Sequence, residues 1–160
     1  MRRCLNCSSP LTAANQCCPG CQKETQIHDG IPLLGASGSK TEDHYPPDAY
    51  RRLLGLEANH FWFRSRRKMI FSLLDTYFPE RQTLLDAGCG AGTTLIELHR
   101  AYPELCLSGC DLNLPALQVA QDRSRNLNWF QADVGDLPYR DEFDVVLALD
   151  VIEHLDDDDS

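Results

Sequence analysis

Residues Leu84-Leu85-Asp86-Ala87-Gly88-Cys89-Gly90-Ala91-Gly92 end a short apolar run and open a helical pattern. A glycine-rich turn at such a point lets backbone N–H groups approach a ligand at a helix N-terminus, where the dipole favours negative charge. The dinucleotide fingerprint needs Gly or Ala where Thr93 stands, which argues against NAD. The observed GxGxG, with Asp86 two positions before it, suits a ligand that carries an ammonium group and a free carboxylate.

The pattern around this turn predicts an α/β fold. Four short apolar runs read as strands, and two helical stretches separate the first three of them, which implies a mainly parallel sheet with right-handed crossovers. The predicted strands are Thr83–Asp86, Leu105–Asp111, Asn128–Gln131 and Phe143–Leu149, and the helices between them are Thr93–Tyr102 and Pro115–Arg125. Upstream, the sequence predicts helices over Ala49–Ala58 and Arg64–Phe78.

Five of the eight cysteines fall within the first 21 residues. This segment has few large apolar side chains and cannot build a core of its own. Two CxxC knuckles, Cys4/Cys7 and Cys18/Cys21, offer four sulfurs with the geometry that structural Zn²⁺ takes, and metal binding would supply folding free energy. A redox dithiol and incidental free thiols are the alternatives, and Cys17 is an alternative to Cys18.

The composition divides the chain into three parts. We expect a zinc ribbon over residues 1–34, a flexible linker over 35–45 and a larger domain over 46–160. The cysteine segment, with its ending from His28 to Leu34, resembles the small zinc-ribbon proteins that activate methyltransferases. Four thiolates already close the metal's coordination shell, so His28 is expected to be a surface residue.

The second part resembles the class I S-adenosylmethionine-dependent methyltransferases, over about residues 44–155. The resemblance implies the first four strands of that family's seven-stranded Rossmann-like sheet, and an enzyme that methylates an O, N or C nucleophile of an unidentified, small-molecule acceptor. It also implies contacts with S-adenosylmethionine. The implied cofactor-binding residues are Asp86, Gly88, Gly90 and Gly92 at the methionine part, Asp111 at the ribose, Leu112, Asp133 and Val134 at the adenine, and Leu149 and Asp150 near the sulfur.

Two further stretches resemble motifs of related enzymes. The segment from His60 to Arg64 is similar to one that lies over the cofactor pocket in quinone-pathway O-methyltransferases, and Arg64 is the candidate for the methionine carboxylate. The alternative is that its aromatic residues pack a helix on the sheet and its arginines form a solvated face. In Asp150-Val151-Ile152-Glu153-His154, His154 is the candidate general base, and a divalent metal near Glu153 and His154 is a further possibility.

The charge distribution and the hydropathy disfavour nucleic-acid binding and membrane insertion. Residues 1–81 carry a balance of +3 and residues 82–160 a balance of −12, which disfavours nucleic acid as a partner despite the basic cluster around Arg66. No apolar run is long enough to cross a bilayer, and no secretory signal follows Met1, so we expect a cytoplasmic protein.

The sequence stops just after the fourth predicted strand, so we expect a piece of a longer protein that alone binds cofactor weakly and turns over little. Its last strand should form an exposed apolar edge, prone to self-association. The alternatives to a small-molecule methyltransferase are a non-catalytic binding protein and a methyltransferase that acts on RNA or protein.

Overall fold

The computed structural model describes residues 2–12, 17–35, 54–55 and 60–155. The predicted linker 35–45 and helix Ala49–Ala58 lie largely outside these ranges, and the acidic run Asp156–Asp159 lies wholly outside them. The strands are β1 (Arg2–Arg3), β2 (Pro10–Leu11), β3 (Gln26–His28), β4 (Ile31–Leu33), β5 (Thr83–Ala87), β6 (Cys106–Asp111), β7 (Asn128–Gln131) and β8 (Val145–Ala148), and the helices are α1 (Phe61–Tyr77), α2 (Thr93–Ala101) and α3 (Leu114–Arg123).

The parallel sheet follows the prediction. Strands β7, β6, β5 and β8 lie side by side in that order, and all three of their pairings are parallel. Strand β5 is central, and both Leu84 and Leu85 are buried because their side chains point to opposite, covered faces. The carboxyl ends of these strands therefore meet along one edge, where the glycine turn follows β5.

The sheet also contains a hairpin that the sequence did not predict. Strands β3 and β4 pair with each other, and β4 pairs in parallel with the outer side of β7, which extends the sheet to six strands. Leu33 lies opposite Gln131 in that pairing. The N–H of Leu34 donates to the carbonyl of Gln131, so the hairpin satisfies a backbone group of β7 that an edge strand would leave unpaired. The end of the cysteine segment is thus continuous with the larger sheet.

The two faces of the sheet are covered differently. The helices α1, α2 and α3 pack on one face, around a core that includes Leu74, Leu95 and Trp129. The other face, with Leu85 and Phe130, is covered by the segment that runs from Val134 to Phe143. At the β8 end of the sheet, where the sequence predicted an exposed apolar edge, the side chain of Val146 is 54% exposed.

Helix α1 begins three residues before the predicted start at Arg64. The ring nitrogen Nδ1 of His60 accepts a hydrogen bond from the backbone of Trp62 at 3.3 Å and so caps the helix. The helix ends before Pro79, as predicted, and the N–H of Phe78 closes it on the carbonyl of Leu74. Within the part of the chain that the structure describes, no helix is long and apolar enough to cross a lipid bilayer.

Candidate functional site

The glycine turn borders a cleft of about 270 Å³ at the carboxyl end of β5. Gly88, Gly90 and Gly92 all have left-handed backbone angles, with φ of 80°, 53° and 74°. Residues with a side chain rarely adopt this backbone conformation, so the turn requires glycine at these positions. Thr93 and Thr94 of the first turn of α2 also line the cleft. The cleft therefore lies at a helix N-terminus, where backbone N–H groups have no partner within the helix.

The three glycines have different neighbours. A Cβ built on Gly90 would meet no atom within 4 Å, so this glycine faces open space in the cleft. A Cβ on Gly92 would lie 2.5 Å from the indole of Trp129, and a Cβ on Gly88 would lie 2.3 Å from the side chain of Val151. Gly88 and Gly92 are thus required by packing, and Gly90 is the one whose missing side chain leaves room for a ligand.

Asp111 fixes the turn from the neighbouring strand. One carboxylate oxygen accepts the backbone N–H of Gly90 and the other accepts that of Asn113, each at 2.8 Å. Burial raises the pKa of Asp111, and these backbone donors oppose that rise. The side chain predicted to bind the ribose therefore also connects the end of β6 to the glycine turn. Asp111 does not line the cleft beside Gly90.

Asp86 is a buried carboxyl group beneath the turn. Its side chain, on β5, is 2% exposed and lines the cleft. Burial raises its pKa to about 7, Arg66 opposes the rise, and Asp111 adds to it. The ionised form of Asp86 is therefore costly unless a positive charge lies nearby. A ligand with an ammonium group would supply that charge.

Helix α1 presents Arg66 to the cleft. Phe63 and Arg67 line the cleft with it, and the same face continues to the buried Ile70 three residues further on. Arg64, the predicted carboxylate-binding residue, lies on another face, is exposed and does not line the cleft. Arg64 and Arg66 are two positions apart, which corresponds to a rotation of about 200° around the helix axis and places them on different faces.

The guanidinium of Arg66 has contacts on two sides and an N–H group without a partner among the described residues. One terminal nitrogen pairs with Asp150, and the guanidinium carbon lies 5.3 Å from the centre of the Phe63 ring. Its Nε is buried and has no hydrogen-bond partner among the residues that the structure describes. An unsatisfied buried donor is costly, so this group suits a site that a ligand carboxylate completes.

Leu149 and Asp150, which follow β8, line the cleft opposite the glycines. Asp150 has a left-handed φ of 55°, which is uncommon for a residue with a side chain. Ile152–His154 form a short 3-10 turn, in which Glu153 is exposed. The side chain of His154 lies outside the described part, so its role as a base, and the metal site with Glu153, stay predictions.

Leu112, Asp133 and Val134 follow the neighbouring strands β6 and β7. Asp133 caps the 3-10 turn Val134–Asp136, because one of its oxygens accepts the backbone N–H of Gly135 at 2.9 Å. The carbonyl of Leu112 accepts a hydrogen bond from the amide of the buried Gln131 at 3.0 Å. These residues lie on the edge where Asp111 ends β6, and none of them lines the cleft beside Gly90.

Two other cysteines near the turn are poor nucleophiles. Burial raises the pKa of Cys110 to about 12 and that of Cys89 well above its usual value. Both therefore stay protonated near neutral pH, and a thiol is a much weaker nucleophile than a thiolate. Both thiols therefore suit a packing role rather than a catalytic one.

The four predicted metal ligands lie together in the N-terminal segment. The sulfurs of Cys4, Cys7, Cys18 and Cys21 all lie within 4.8 Å of one another. Cys4 and Cys21 are 3.7 Å apart, and Cys7 and Cys18 are 3.5 Å apart. Tetrahedral Zn–S bonds of about 2.3 Å would place the sulfurs about 3.8 Å apart, so the cluster fits a zinc ion.

The two knuckles have the same backbone geometry. Ser8 and Gln22, each four residues after the first cysteine of its knuckle, have a φ of 59° and donate their N–H to the carbonyls of Cys4 and Cys18. Cys17 is outside the cluster, because its sulfur lies 3.1 Å from the carbonyl of Gln22. The geometry thus favours Cys18 over Cys17 as a ligand.

One cysteine of the cluster is already biased towards its thiolate. The hydroxyl of Ser9 lies 3.3 Å from the sulfur of Cys7. Hydrogen bonds with the side chain and the backbone of Ser9, and smaller ones with Cys18 and Cys21, lower the pKa of Cys7 to about 6. Burial and the hydrogen bonds with Cys7 and Cys4, in contrast, raise the pKa of Cys18 to about 11. Zinc binds the thiolate rather than the thiol, so the bias agrees with a metal site.

Part of the larger predicted domain matches a known protein family. Residues 84–160 match the family described as a methyltransferase domain. The tRNA (carboxymethyluridine(34)-5-O)-methyltransferase of Arabidopsis thaliana is 35% identical over 78 residues, which are 48% of this chain and 18% of that protein. Norajmaline N-methyltransferase of Rauvolfia serpentina is 28% identical over 148 residues, which are 85% of this chain and 50% of that protein.

A solved structure shares the fold. S-adenosylmethionine-bound CalS10, an amino pentose methyltransferase from Micromonospora echinaspora, superposes with a TM-score of 0.51 at 24% identity, over 64% of this chain and 40% of that one. The chain spans half or less of the length of the relatives named here.

Proposed function

We propose that the chain carries a class I S-adenosylmethionine-dependent methyltransferase domain and belongs to an enzyme that transfers a methyl group to an acceptor. The observation that carries the proposal is the open space at Gly90, next to the unsatisfied Nε of Arg66 and above the buried Asp86. A backbone turn, a guanidinium and a carboxyl group suit a ligand that has both an ammonium and a carboxylate group.

The residues around the cleft divide the binding task. Gly90 leaves room for the methionine part, Arg66 binds its carboxylate, and Asp86 faces its ammonium. Asp111 lies at the end of the next strand, where a ribose would follow. When bound, S-adenosylmethionine supplies a methyl group on a positively charged sulfur. Arg66 replaces Arg64 in this proposal because Arg66 lines the cleft and Arg64 does not.

The adenine end lies one strand further along the sheet edge. Leu112 offers an apolar surface after β6, and Asp133 and Val134 offer a carboxylate and a backbone N–H after β7. Leu149 and Asp150 border the other side of the cleft and face the entry of the acceptor. The chain then acts mainly by alignment and by exclusion of water, which can account for a large part of the rate.

The four N-terminal cysteines hold zinc in this proposal. Cys4, Cys7, Cys18 and Cys21 would bind it as thiolates, and the ion would stabilise a segment that has little core of its own. Four protein ligands leave no open coordination position, so the role is structural.

Titration calorimetry with S-adenosylhomocysteine tests the proposed function. We expect binding by the wild type, weaker binding of NAD, and a loss of affinity of about tenfold or more in Asp111→Asn, which keeps the size of the side chain but removes its charge. Asp122→Ala is the matched control, because Asp122 is exposed on α3, and it should bind as the wild type does. Equal affinity for S-adenosylhomocysteine and NAD, or unchanged binding in Asp111→Asn, would contradict the proposal.

The acceptor is a separate question. The relatives are named for a tRNA nucleoside and for norajmaline, and CalS10 for an amino pentose. The proposal favours a small-molecule acceptor, because residues 82–160, which supply nine of the twelve residues that line the cleft, have a charge balance of −12, and this disfavours a polyanion. A methyl-transfer screen that includes small amines, alcohols and tRNA tests this part.

A further inference from the structure

The N-terminal strand contacts the segment that carries Asp133. The backbone N–H of Arg3 donates to the carbonyl of Pro138 at 2.6 Å. Its guanidinium donates to Asp136 at 2.5 Å and to the carbonyl of Leu137 at 3.4 Å. The neighbouring Arg2 forms a bridge with Tyr139. Strand β1 thus lies along the segment 136–139, just after the 3-10 turn that Asp133 caps.

A second connection runs through β4. The N–H of Leu34 donates to the carbonyl of Gln131 at 2.7 Å, two residues before Asp133. The side chain of Gln131 is 7% exposed, and its amide donates to the carbonyl of Leu112. Leu112 and Asp133, two of the residues proposed to contact adenine, therefore lie next to groups held by the N-terminal segment.

The turn itself has few bonds of its own. Asp136 donates its N–H to the carbonyl of Asp133 at 3.2 Å, and Gly135 donates to the Asp133 side chain. The Arg3–Asp136 ion pair is 39% and 49% exposed, and such pairs contribute little by charge alone. One terminal nitrogen of Arg3 nevertheless donates to two acceptors of the same segment, which restricts the position of that segment.

The cysteine cluster begins directly after this strand. Cys4 follows Arg3, its N–H donates to the carbonyl of Ser9, and its sulfur belongs to the cluster. A zinc ion bound there would fix the end of β1. Strands β1 and β4 both belong to the first 34 residues, which also contain the cysteine cluster. The segment that would bind zinc therefore also contacts the residues near the proposed adenine site.

From these contacts we propose that Arg3 is a positioning residue for adenine recognition: it holds the segment 136–138, and so the turn at Asp133, in the place where the carboxylate reads the adenine amino group. This role rests on the proposed function. Arg3 itself does not contact the nucleoside.

The test compares two ligands that differ at one edge of the base. S-adenosylhomocysteine carries the adenine amino group, and S-inosylhomocysteine carries a carbonyl oxygen in its place and a proton on the adjacent ring nitrogen. We expect the wild-type protein to prefer the first by about tenfold, which is the effect of one hydrogen bond to a charged group. Calorimetry gives this ratio of affinities, and it does not depend on how much of the protein is active.

The variants separate positioning from simple loss of stability. In Arg3→Ala we expect the ratio to fall to about two, because only the adenine contact is lost. Arg3→Lys should lie between, since an ammonium group keeps the charge but lacks the planar, fixed geometry of the guanidinium. Asp136→Asn, which weakens the pair without touching β1, should lower the ratio in the same direction if Arg3→Ala does not fold. Arg100→Ala, an exposed arginine on α2, should keep the wild-type ratio.

The outcomes are distinct. An unchanged ratio in Arg3→Ala and in Asp136→Asn, or an equal loss of affinity for both ligands, overturns the positioning role and leaves the proposed function intact. No binding of S-adenosylhomocysteine by the wild type overturns the proposed function and this role with it. Zinc content, measured on the same samples, should be the same in Arg3→Ala as in the wild type, because no cysteine is changed.

Discussion

Gly90→Ala separates binding from folding at the glycine turn. The new Cβ meets no protein atom within 4 Å, so the variant is not overpacked. Its cost to stability is the left-handed backbone, with a φ of 53°, which is about 1 to 2 kcal/mol for a residue with a Cβ. A loss of that size lowers the Tm by about 2 to 8 °C in a domain of this size. We therefore expect a folded protein.

The same methyl group occupies the space that the proposal gives to the methionine part. We expect the affinity for S-adenosylhomocysteine to fall at least tenfold, because the ligand loses its close approach to the turn. Calorimetry measures the affinity, and thermal unfolding monitored by circular dichroism measures the stability of the same sample.

Gly30→Ala is the matched control. Gly30 has a φ of 85° in the turn between β3 and β4, and a Cβ there would lie 3.3 Å from the flexible end of Gln121. It should therefore show a similar loss of stability and wild-type affinity. If Gly90→Ala binds as tightly as Gly30→Ala, the ligand does not approach Gly90 and the proposed site is wrong.

Three further variants test single groups. Cys18→Ser should lose the bound zinc, measured by elemental analysis, whereas Cys17→Ser should keep one ion per chain; retention by both would contradict the four-sulfur site. Arg66→Ala should weaken S-adenosylhomocysteine about tenfold but leave 5′-methylthioadenosine, which has no carboxylate, unchanged, and Arg64→Ala should change neither. Asp86→Asn should have the unfolding free energy of the wild type near pH 4 and a higher one above pH 7. The raised pKa of about 7 makes the ionised carboxyl costly in the folded state. The unfolding free energy of the wild type therefore declines as the pH rises through that value. Urea unfolding across this range measures the difference, and a constant difference would show that Asp86 does not titrate there.

The parallel sheet was predictable because its signals are local. Each strand is a short apolar run between turn residues, and the glycines follow the run that becomes β5. Asp111 was found by its place at the end of the next strand. Its hydrogen bond to Gly90 joins residues from two strands, and no local pattern indicates such a contact.

The missed features depend on helix phase and on distant pairing. Arg64 and Arg66 are the same residue type in the same helix. Of the two, the phase of α1 places Arg66 on the face that continues to Ile70. The spacing of the apolar residues in that helix indicates which of its faces is turned to the sheet. The pairing of Leu33 with Gln131 had none, because β4 is three residues long and its partner lies far along the chain.

A crystal structure of the protein with S-adenosylhomocysteine tests the cleft. We expect the amino-acid part of the ligand at Gly90, with its carboxylate within hydrogen-bond distance of Arg66 and its ribose towards Asp111. Density for the compound at another place on the protein, or NAD bound by the same glycine backbone, would contradict the account.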